Sequence, residues 1–263
     1  MRFAMAFLIS AGLAFSANLE LPVDSGRLVV DPALEYRSWQ GGFDGSGQRQ
    51  SYGPDVSISA TSLGIAVKYV FLPGLEADVG ECAVIQQIST PGFSSSPTIG
   101  FDRPWVGLKY LHPVGVGALA SVSLPWGSPD LVGSKTPTTF SGGLLANARL
   151  GPVDLDGAAV GSRSTQPAGG TWLGDSILIQ MRARYRLNRR WWASMGAVWS
   201  SYEGAEIPGW IPPTSGWFLR LEPGIRFGLS NFTTLQFVVP VEVAGENAPA
   251  GFGFRIETIG AGP

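Results

Sequence analysis

The sequence is poor in residues on which many enzymes and secreted domains depend. It has one cysteine, Cys82, so no disulfide can form within the chain, and one histidine, His112. Charged residues make up 14% of the chain, against roughly 25% in typical soluble domains. After the first residues, no uninterrupted apolar run approaches the roughly 18 residues that a membrane-spanning helix needs. A surface so short of charge is expected to face something other than water. No later segment is long and apolar enough to place that surface in a membrane as a helix.

These shortages exclude several classes of function. Asp and Glu total 20 and Lys and Arg total 18, whereas a nucleic-acid partner requires a basic surface. The sequence has no cluster of cysteines and histidines, no P-loop and no dinucleotide-binding glycine pattern, so we expect no metal and no cofactor. His112 precedes Pro113 in a turn, where it is poorly placed to activate a serine nucleophile. The chain is therefore not expected to be an enzyme.

The first residues have the layout of a secretory signal peptide. Arg2 precedes an apolar run from Phe3 to Phe15, and small residues follow. Cleavage after Ser16 is predicted, and cleavage after Ala17 is the alternative. Residues 1–16 are therefore expected to be removed on export, which leaves residues 17–263 as a single domain.

A period of two runs through almost all of the remaining sequence. Apolar residues from Leu63 to Phe71 alternate with Gly64, Ala66 and Lys68. Such alternation is typical of β-strands with one apolar face and one polar or small face. Strands are predicted near residues 28–37, 61–71, 75–88, 101–111, 115–124, 139–150, 153–164, 175–187, 190–203, 216–229, 231–243 and 251–259.

The connections between these strands alternate in length. Tight turns are predicted at Leu72–Gly74, His112–Val114, Gly151–Pro152, Asn188–Arg189 and Ser230. The longer loops, rich in Gly, Ser and Pro, cover residues 40–54, 89–100, 125–138, 165–174, 204–215 and 244–250. Short turns on one edge and long loops on the other are typical of an up-and-down transmembrane β-barrel of the bacterial outer membrane. The predicted fold is all-β: a closed antiparallel barrel of about 12 strands, in which the last strand pairs with the first.

The spacing of aromatic residues agrees with the thickness of a membrane. Trp191 and Trp199 share the outward register of one strand; eight residues at about 3.3 Å, tilted by roughly 40°, separate them by about 20 Å along the barrel axis. On the same basis, Trp217 and Phe227 are separated by about 25 Å along the barrel axis. Two aromatic girdles bounding an apolar band explain both distances. The alternative is a soluble sandwich with these aromatics in its core.

If the apolar register faces lipid, the other register lines the lumen and holds most of the charge. Lys68 with Glu76 and Asp78 is expected to form opposed pairs that fill the periplasmic end, as is Arg149 with the nearby aspartates. The predicted pore-lining residues are Lys68, Lys109, Arg149, Asp154, Asp156, Arg182, Arg184, Arg186, Arg220, Glu222, Arg226 and Arg255.

Arg182, Arg184 and Arg186, together with Arg226, form a basic stripe inside the predicted barrel. The neighbouring strand presents residues from Trp192 to Val198 to the lumen and offers no acid. An unmatched basic stripe in a water-filled bore would favour anions. Pairing with Glu222, or with acids across the bore, is the alternative.

Two smaller expectations concern single positions. Trp39, Trp105 and Phe218 lie inward and nearer the long loops, where they would form an apolar vestibule or a packed plug. Glu81 falls on the outward register, where a carboxylate is costly, so a β-bulge near Gly80 that turns Glu81 inward is expected.

Some stretches resemble a known family. Asp102–Leu111, which contains Gly107-Leu-Lys-Tyr110, precedes a strand that ends Leu124-Pro-Trp-Gly127. This arrangement, with the late hairpin from Leu221 to Val241, resembles outer-membrane proteins linked to the meta-pathway of phenol degradation. The resemblance implies an outer-membrane barrel that transports small, often hydrophobic molecules, and it supplies no binding residues.

The sequence therefore favours an outer-membrane channel or porin-like transporter for small molecules, either anion-preferring or selective for hydrophobic solutes. Its expected partners are the lipid bilayer and a small solute. One alternative is a closed barrel whose extracellular loops, chiefly 40–54 and 125–138, bind a partner. A second alternative is a lipid-acting enzyme of the outer membrane.

Overall fold

The computed structural model describes residues 27–53, 56–90, 93–94, 97–128, 137–165, 174–203, 215–230 and 233–260. The predicted signal peptide lies outside the described residues. Within them, no helix is long and apolar enough to cross a membrane. The described residues form 16 strand segments: β1 Arg27–Phe43, β2 Arg49–Ser51, β3 Ser57–Leu72, β4 Leu75–Thr90, β5 Phe93–Ser94, β6 Thr98–Phe101, β7 Trp105–Leu111, β8 Val116–Ser123, β9 Thr139–Leu150, β10 Val153–Ser164, β11 Asp175–Arg186, β12 Trp191–Tyr202, β13 Gly216–Gly228, β14 Thr233–Val238, β15 Val241–Glu246 and β16 Ala248–Gly260.

These segments build a single closed antiparallel sheet. β6 and β7 together make one wall strand, as do β14 and β15, while β2 and β5 are short additions, so the barrel has twelve wall strands. β16 pairs with β1 from Ala33 opposite Glu257 to Phe43 opposite Ala248. This last pairing leaves the wall without an open edge, which satisfies the backbone groups that an open sheet would expose. The predicted twelve-strand closed barrel is confirmed.

The barrel has a short-turn end and a long-loop end. Short turns lie at 73–74, 112–115, 151–152 and 187–190, and the long connections lie mostly at the opposite end. One predicted loop is wrong: residues 244–250 are strand except for Asn247, which forms a tight turn at a φ of 49°. Asparagine adopts this left-handed conformation more readily than most residues. β15 and β16 therefore form a hairpin that reaches the long-loop end.

Two wall strands are interrupted at prolines. Pro104 lies between β6 and β7, and Pro240 lies between β14 and β15. Proline has no N–H to donate to a neighbouring strand, so it is found at such interruptions.

The expected bulge at Gly80 is also wrong. β4 pairs with β3 in unbroken register through this region, with Glu81 opposite Ile65 on the outer face. The irregularity lies in the other neighbour: Gly80 pairs with Trp105 and Ala83 with Phe101, so residues 102–104 are accommodated in the partner wall strand. Glu81 therefore keeps the outward register and is exposed.

The outer surface of the barrel is apolar over its whole circumference. Ile179 and Met181 of β11, for example, are 42% and 65% exposed. Exposed apolar areas larger than a few hundred Å² are rare in soluble monomers, so this surface requires an apolar surrounding. Further exposed apolar side chains include Leu34, Leu63, Ile65, Leu108, Phe140, Leu144, Ile225, Phe237, Phe252 and Phe254.

The aromatic residues whose spacing predicts the apolar band lie toward opposite ends of two neighbouring wall strands. Trp191 and Phe227 pack together near the short-turn end, with their ring centroids 4.6 Å apart. Trp199 and Trp217 lie toward the other end of the same two strands, and Trp217 Nε1 donates a hydrogen bond to Glu246 Oε2 at 3.2 Å. Such amphipathic rings suit a boundary between an apolar and an aqueous phase.

A hairpin formed by β2 and the end of β1 projects at the long-loop end. Its turn is organised by Asp44, whose carboxylate accepts hydrogen bonds from Ser46 Oγ at 2.7 Å and from the Gln48 N–H at 3.0 Å. These hydrogen bonds, that from the Ser46 side chain above all, lower the pKa of the Asp44 carboxyl below its usual value.

Candidate functional site

The lumen is lined by the alternate residues that face away from the apolar surface. Of the predicted pore-lining residues, Arg226 and Asp154 are half-buried, while Arg149 and Arg186 are exposed near the short-turn end. The remaining ones are buried inside the barrel: Lys68, Lys109, Asp156, Arg182, Arg184, Arg220, Glu222 and Arg255.

Glu222 of β13 is the hub of a buried ion-pair network. Its carboxylate lies 2.8 Å from Arg220 Nε and 3.3 Å from Arg255 Nη2. Arg182 Nη2 approaches it at 3.6 Å from β11, reaching over the intervening strand β12. Gly196 makes this reach possible, because a Cβ at that position would lie only 3.1 Å from Glu222 Cβ. Three guanidinium groups thus surround one carboxylate away from water.

The network continues along the wall through β16 and β1. Arg255 lies 3.8 Å from Glu35 and 3.5 Å from Glu257. Arg37 contacts Glu35 at 3.6 Å and also pairs with Glu242. We call this set the charge arc. It comprises four arginines and four glutamates, Arg37, Arg182, Arg220, Arg255, Glu35, Glu222, Glu242 and Glu257, so its formal charge is zero.

The charge arc corrects the prediction of an unmatched arginine stripe. Arg182 pairs with Glu222, and Arg184 Nη2 lies 2.5 Å from Asp156 Oδ2. Arg186 is exposed; its Nε donates a hydrogen bond to Asn188 O at 3.2 Å. The alternative of pairing with acids is therefore the one that the geometry supports. Glu222 is the alternative partner expected from the sequence, whereas Asp156, expected to pair with Arg149, pairs instead with Arg184.

The lysines nearer the short-turn end are neutralised differently from the prediction. Lys109 Nζ lies 3.0 Å from both Glu76 Oε1 and Asp78 Oδ2. Lys68 pairs instead with Asp31 at 2.5 Å, on the other side of its strand. At the rim, the expected pair of Arg149 and Asp154 forms at 3.5 Å between an exposed arginine and a half-buried aspartate.

The three residues of the expected apolar vestibule do not come together. Trp39 packs against Ile58, Ala60 and Val84. Phe218 packs in a separate cluster with Phe43, Ala248 and Ala250. Both rings are buried, at 4% and 8% exposure, so they fill the wall near the long-loop end and do not line open space.

Trp105 stands between two cavities in the lumen. The Cys82 cavity, lined by Cys82, Lys68 and Arg255 among others, holds about 760 Å³ of empty space, counting the part open to solvent. The Gln180 cavity, lined by Gln180 and Leu178 among others, holds about 570 Å³ on the same basis. Trp105 borders both. Its ring lies over Gly80, where a Cβ would come within 2.5 Å of Trp105 Cζ2.

A band of hydroxyl groups lines the lumen on β8, β9 and β10 toward the long-loop end. Ser121 pairs in register with Ser141, and Ser141 Oγ lies 2.9 Å from Ser162 Oγ. The next row holds Ser123, Thr139 and Ser164. The prediction from sequence omitted this band, although hydroxyl residues at alternate positions on three successive strands could have revealed it.

The described residues contain no group of three or more potential metal ligands among His, Cys, Asp and Glu. His112 lies in the turn between β7 and β8, where its Nδ1 accepts a hydrogen bond from the Val114 N–H at 3.3 Å.

Comparison with known proteins finds similarity in structure alone. No family model and no curated protein sequence matches the chain, so the link to phenol degradation is not confirmed. Among solved structures, the chain is similar to an outer-membrane channel from Pseudomonas putida F1, with 14% identity, 92% of this chain and 97% of that chain covered, and a TM-score of 0.75.

Two other solved structures are less similar. The translocator domain of the autotransporter NalP from Neisseria meningitidis has 10% identity, covers 97% of this chain and 92% of its own, and gives a TM-score of 0.55. A variant of the monoaromatic hydrocarbon channel TodX has 8% identity, covers 90% and 91%, and gives a TM-score of 0.50. At these identities the comparisons establish the fold: the chain has the architecture of a bacterial outer-membrane barrel.

Proposed function

We propose that the protein is a channel of the bacterial outer membrane through which small molecules pass. The observation that carries this proposal is the division of the closed barrel into an apolar outer surface and a polar lumen that contains two cavities. Residues 1–16 would direct export as a signal peptide, and residues 17–263 would form the membrane domain. Its partners are then the lipid bilayer and a small solute.

The charge arc supports a channel of low ionic selectivity. Its four arginines and four glutamates cancel, so the field that would exclude ions of one sign is weak along this wall. The hydroxyl band and the two cavities offer hydrogen bonds and apolar contacts in addition. Uncharged solutes are therefore the class that this lumen suits best.

Planar lipid bilayers test the channel. We expect insertion of the purified protein to produce discrete, ohmic current steps, with a reversal potential close to zero in a gradient of potassium chloride. Protein-free bilayers are the control.

A folded, inserted protein that carries no current at any voltage would contradict the channel. It would favour a closed barrel that binds a partner through its loops, a second candidate that the density of buried ion pairs in the lumen favours.

A further inference from the structure

The Gln180 cavity has an apolar wall formed by residues in register on neighbouring strands. Leu119 of β8 pairs with Gly143, Gly143 with Val160 of β10, and Val160 with Leu178 of β11. Leu119, Val160 and Leu178 all line the cavity, and Val160 packs closely over Gly143, where a Cβ would lie 3.0 Å from Val160 Cγ2. Trp105 adds a flat aromatic surface to the same cavity. An apolar group of a small molecule can lose water against these four side chains.

Polar groups converge on the cavity next to this apolar wall. Gln180 is only 3% exposed and lines the cavity, so its side-chain amide is held at the cavity wall. Ser121 and Ser123 of the hydroxyl band line the cavity on the side of the long-loop end. The amide and the two hydroxyls can both donate and accept hydrogen bonds, so a ligand with one polar group can be oriented by them beside the apolar wall.

The charges at the cavity disfavour an anion. Lys109 is shared by Glu76 and Asp78, so this group carries a net formal charge of −1. Asp78 Oδ1 is buried over Gly107 and accepts no hydrogen bond within the described structure. Among the described residues that line it, the cavity therefore has a carboxylate at Asp78 and an amide at Gln180, and Lys109 is paired with acids.

We propose that the Gln180 cavity binds an uncharged hydrocarbon that carries a hydroxyl group. The hydrocarbon part lies against Trp105, Leu119 and Leu178, while the hydroxyl accepts a hydrogen bond from Gln180 and donates one to an acceptor of the cavity. This proposal rests on the channel function proposed above and adds to it the class of solute that binds in the lumen during passage.

Side-chain NMR of the ¹⁵N-labelled protein in detergent micelles tests the site with cyclohexanol as the probe. Methylcyclohexane and cyclohexanecarboxylate are matched apolar and anionic comparisons. We expect cyclohexanol to shift the indole N–H signal of Trp105 in a saturable manner and to bind more tightly than either comparison. Gln180→Leu is expected to weaken cyclohexanol binding about tenfold and to leave methylcyclohexane binding unchanged or stronger.

Gln236→Leu is the control, because Gln236 is a buried glutamine of β14 that lies outside the cavity. If Gln180→Leu does not fold, Ser121→Ala replaces it, with a loss of a few-fold expected. Equal binding of cyclohexanol and methylcyclohexane, tighter binding of the carboxylate, or equal effects of the Gln180 and Gln236 variants would overturn the proposal. Binding is measured without current, so the two proposals are tested separately. A protein that conducts but does not bind cyclohexanol would contradict the site alone. A protein that binds cyclohexanol but carries no current would contradict the channel alone.

Discussion

Replacing Glu222 by glutamine is expected to lower the free energy of unfolding by about 3 kcal/mol, within the range for breaking a buried ion pair. The glutamine removes the only negative charge that Arg182, Arg220 and Arg255 share, and these guanidinium groups stay buried. The same change leaves the charge arc with one excess positive charge. We therefore also expect the reversal potential of the channel to move toward anion preference.

The matched control for Glu222→Gln is Asp154→Asn. Asp154 also pairs with an arginine, but at the rim of the barrel, where Arg149 is exposed and Asp154 only half-buried, and solvent-accessible pairs contribute roughly 0–1 kcal/mol. Denaturant unfolding of both variants in phospholipid vesicles measures the difference. Equal stabilities of the two variants would show that the charge arc does not hold the wall together.

Introducing arginine at Ile179 is expected to cost about 2–4 kcal/mol of stability, the range for a cation at the middle of a lipid-facing strand. Ile179 lies at the centre of β11, points outward and is 42% exposed. A guanidinium at this position would have to enter hydrocarbon, whereas its neighbour Gln180 on the same strand faces the lumen. Unfolding in phospholipid vesicles, where the hydrocarbon is present, measures this cost.

Leu187→Arg is the control for depth, because Leu187 lies on the same strand register just past the end of β11 and is 56% exposed. Near the interface an arginine costs only about 0–1 kcal/mol. If both arginine variants cost the same, the outer surface of β11 does not span a bilayer.

The fold could be predicted from sequence because each wall strand shows the alternation of outward apolar and inward residues within its own stretch of sequence. In β11, Ile177, Ile179 and Met181 alternate with residues that the structure places inside, and this local pattern needs no knowledge of neighbours. The same holds for Trp191 and Trp199, whose spacing along one strand gives the height of the apolar surface. Strand number, antiparallel order and orientation therefore follow from short stretches of sequence.

Residues 244–250 are predicted to be a loop because they combine small residues with proline, and this prediction is wrong. Ala248, Pro249 and Ala250 have low strand propensity, and the sequence pattern therefore places them in a loop. In the barrel, Ala248 and Ala250 pack against Phe43 and Phe218, so small side chains are what this position requires. Tertiary packing outweighs local propensity here.

The pairing of charges could not be predicted from single strands. Arg182 reaches Glu222 across β12, past Gly196, where a Cβ would lie 3.1 Å from Glu222 Cβ. Glu81 keeps its outward register because the interruption at Pro104 occurs in the neighbouring wall strand. Both outcomes depend on what the adjacent strands present at the same height, which a linear pattern does not contain.

Cysteine accessibility along β8 tests the central claim, a bore that reaches water inside a wall that faces lipid. In a Cys82→Ser background, which removes the only native cysteine, Ser121→Cys places a thiol in the lumen and Ala120→Cys places one on the outer surface. We expect a water-soluble, membrane-impermeant thiol reagent to modify residue 121 and reduce the single-channel current, and to leave residue 120 unmodified. Modification of residue 120 with residue 121 unmodified would contradict both the orientation of the wall and the open lumen.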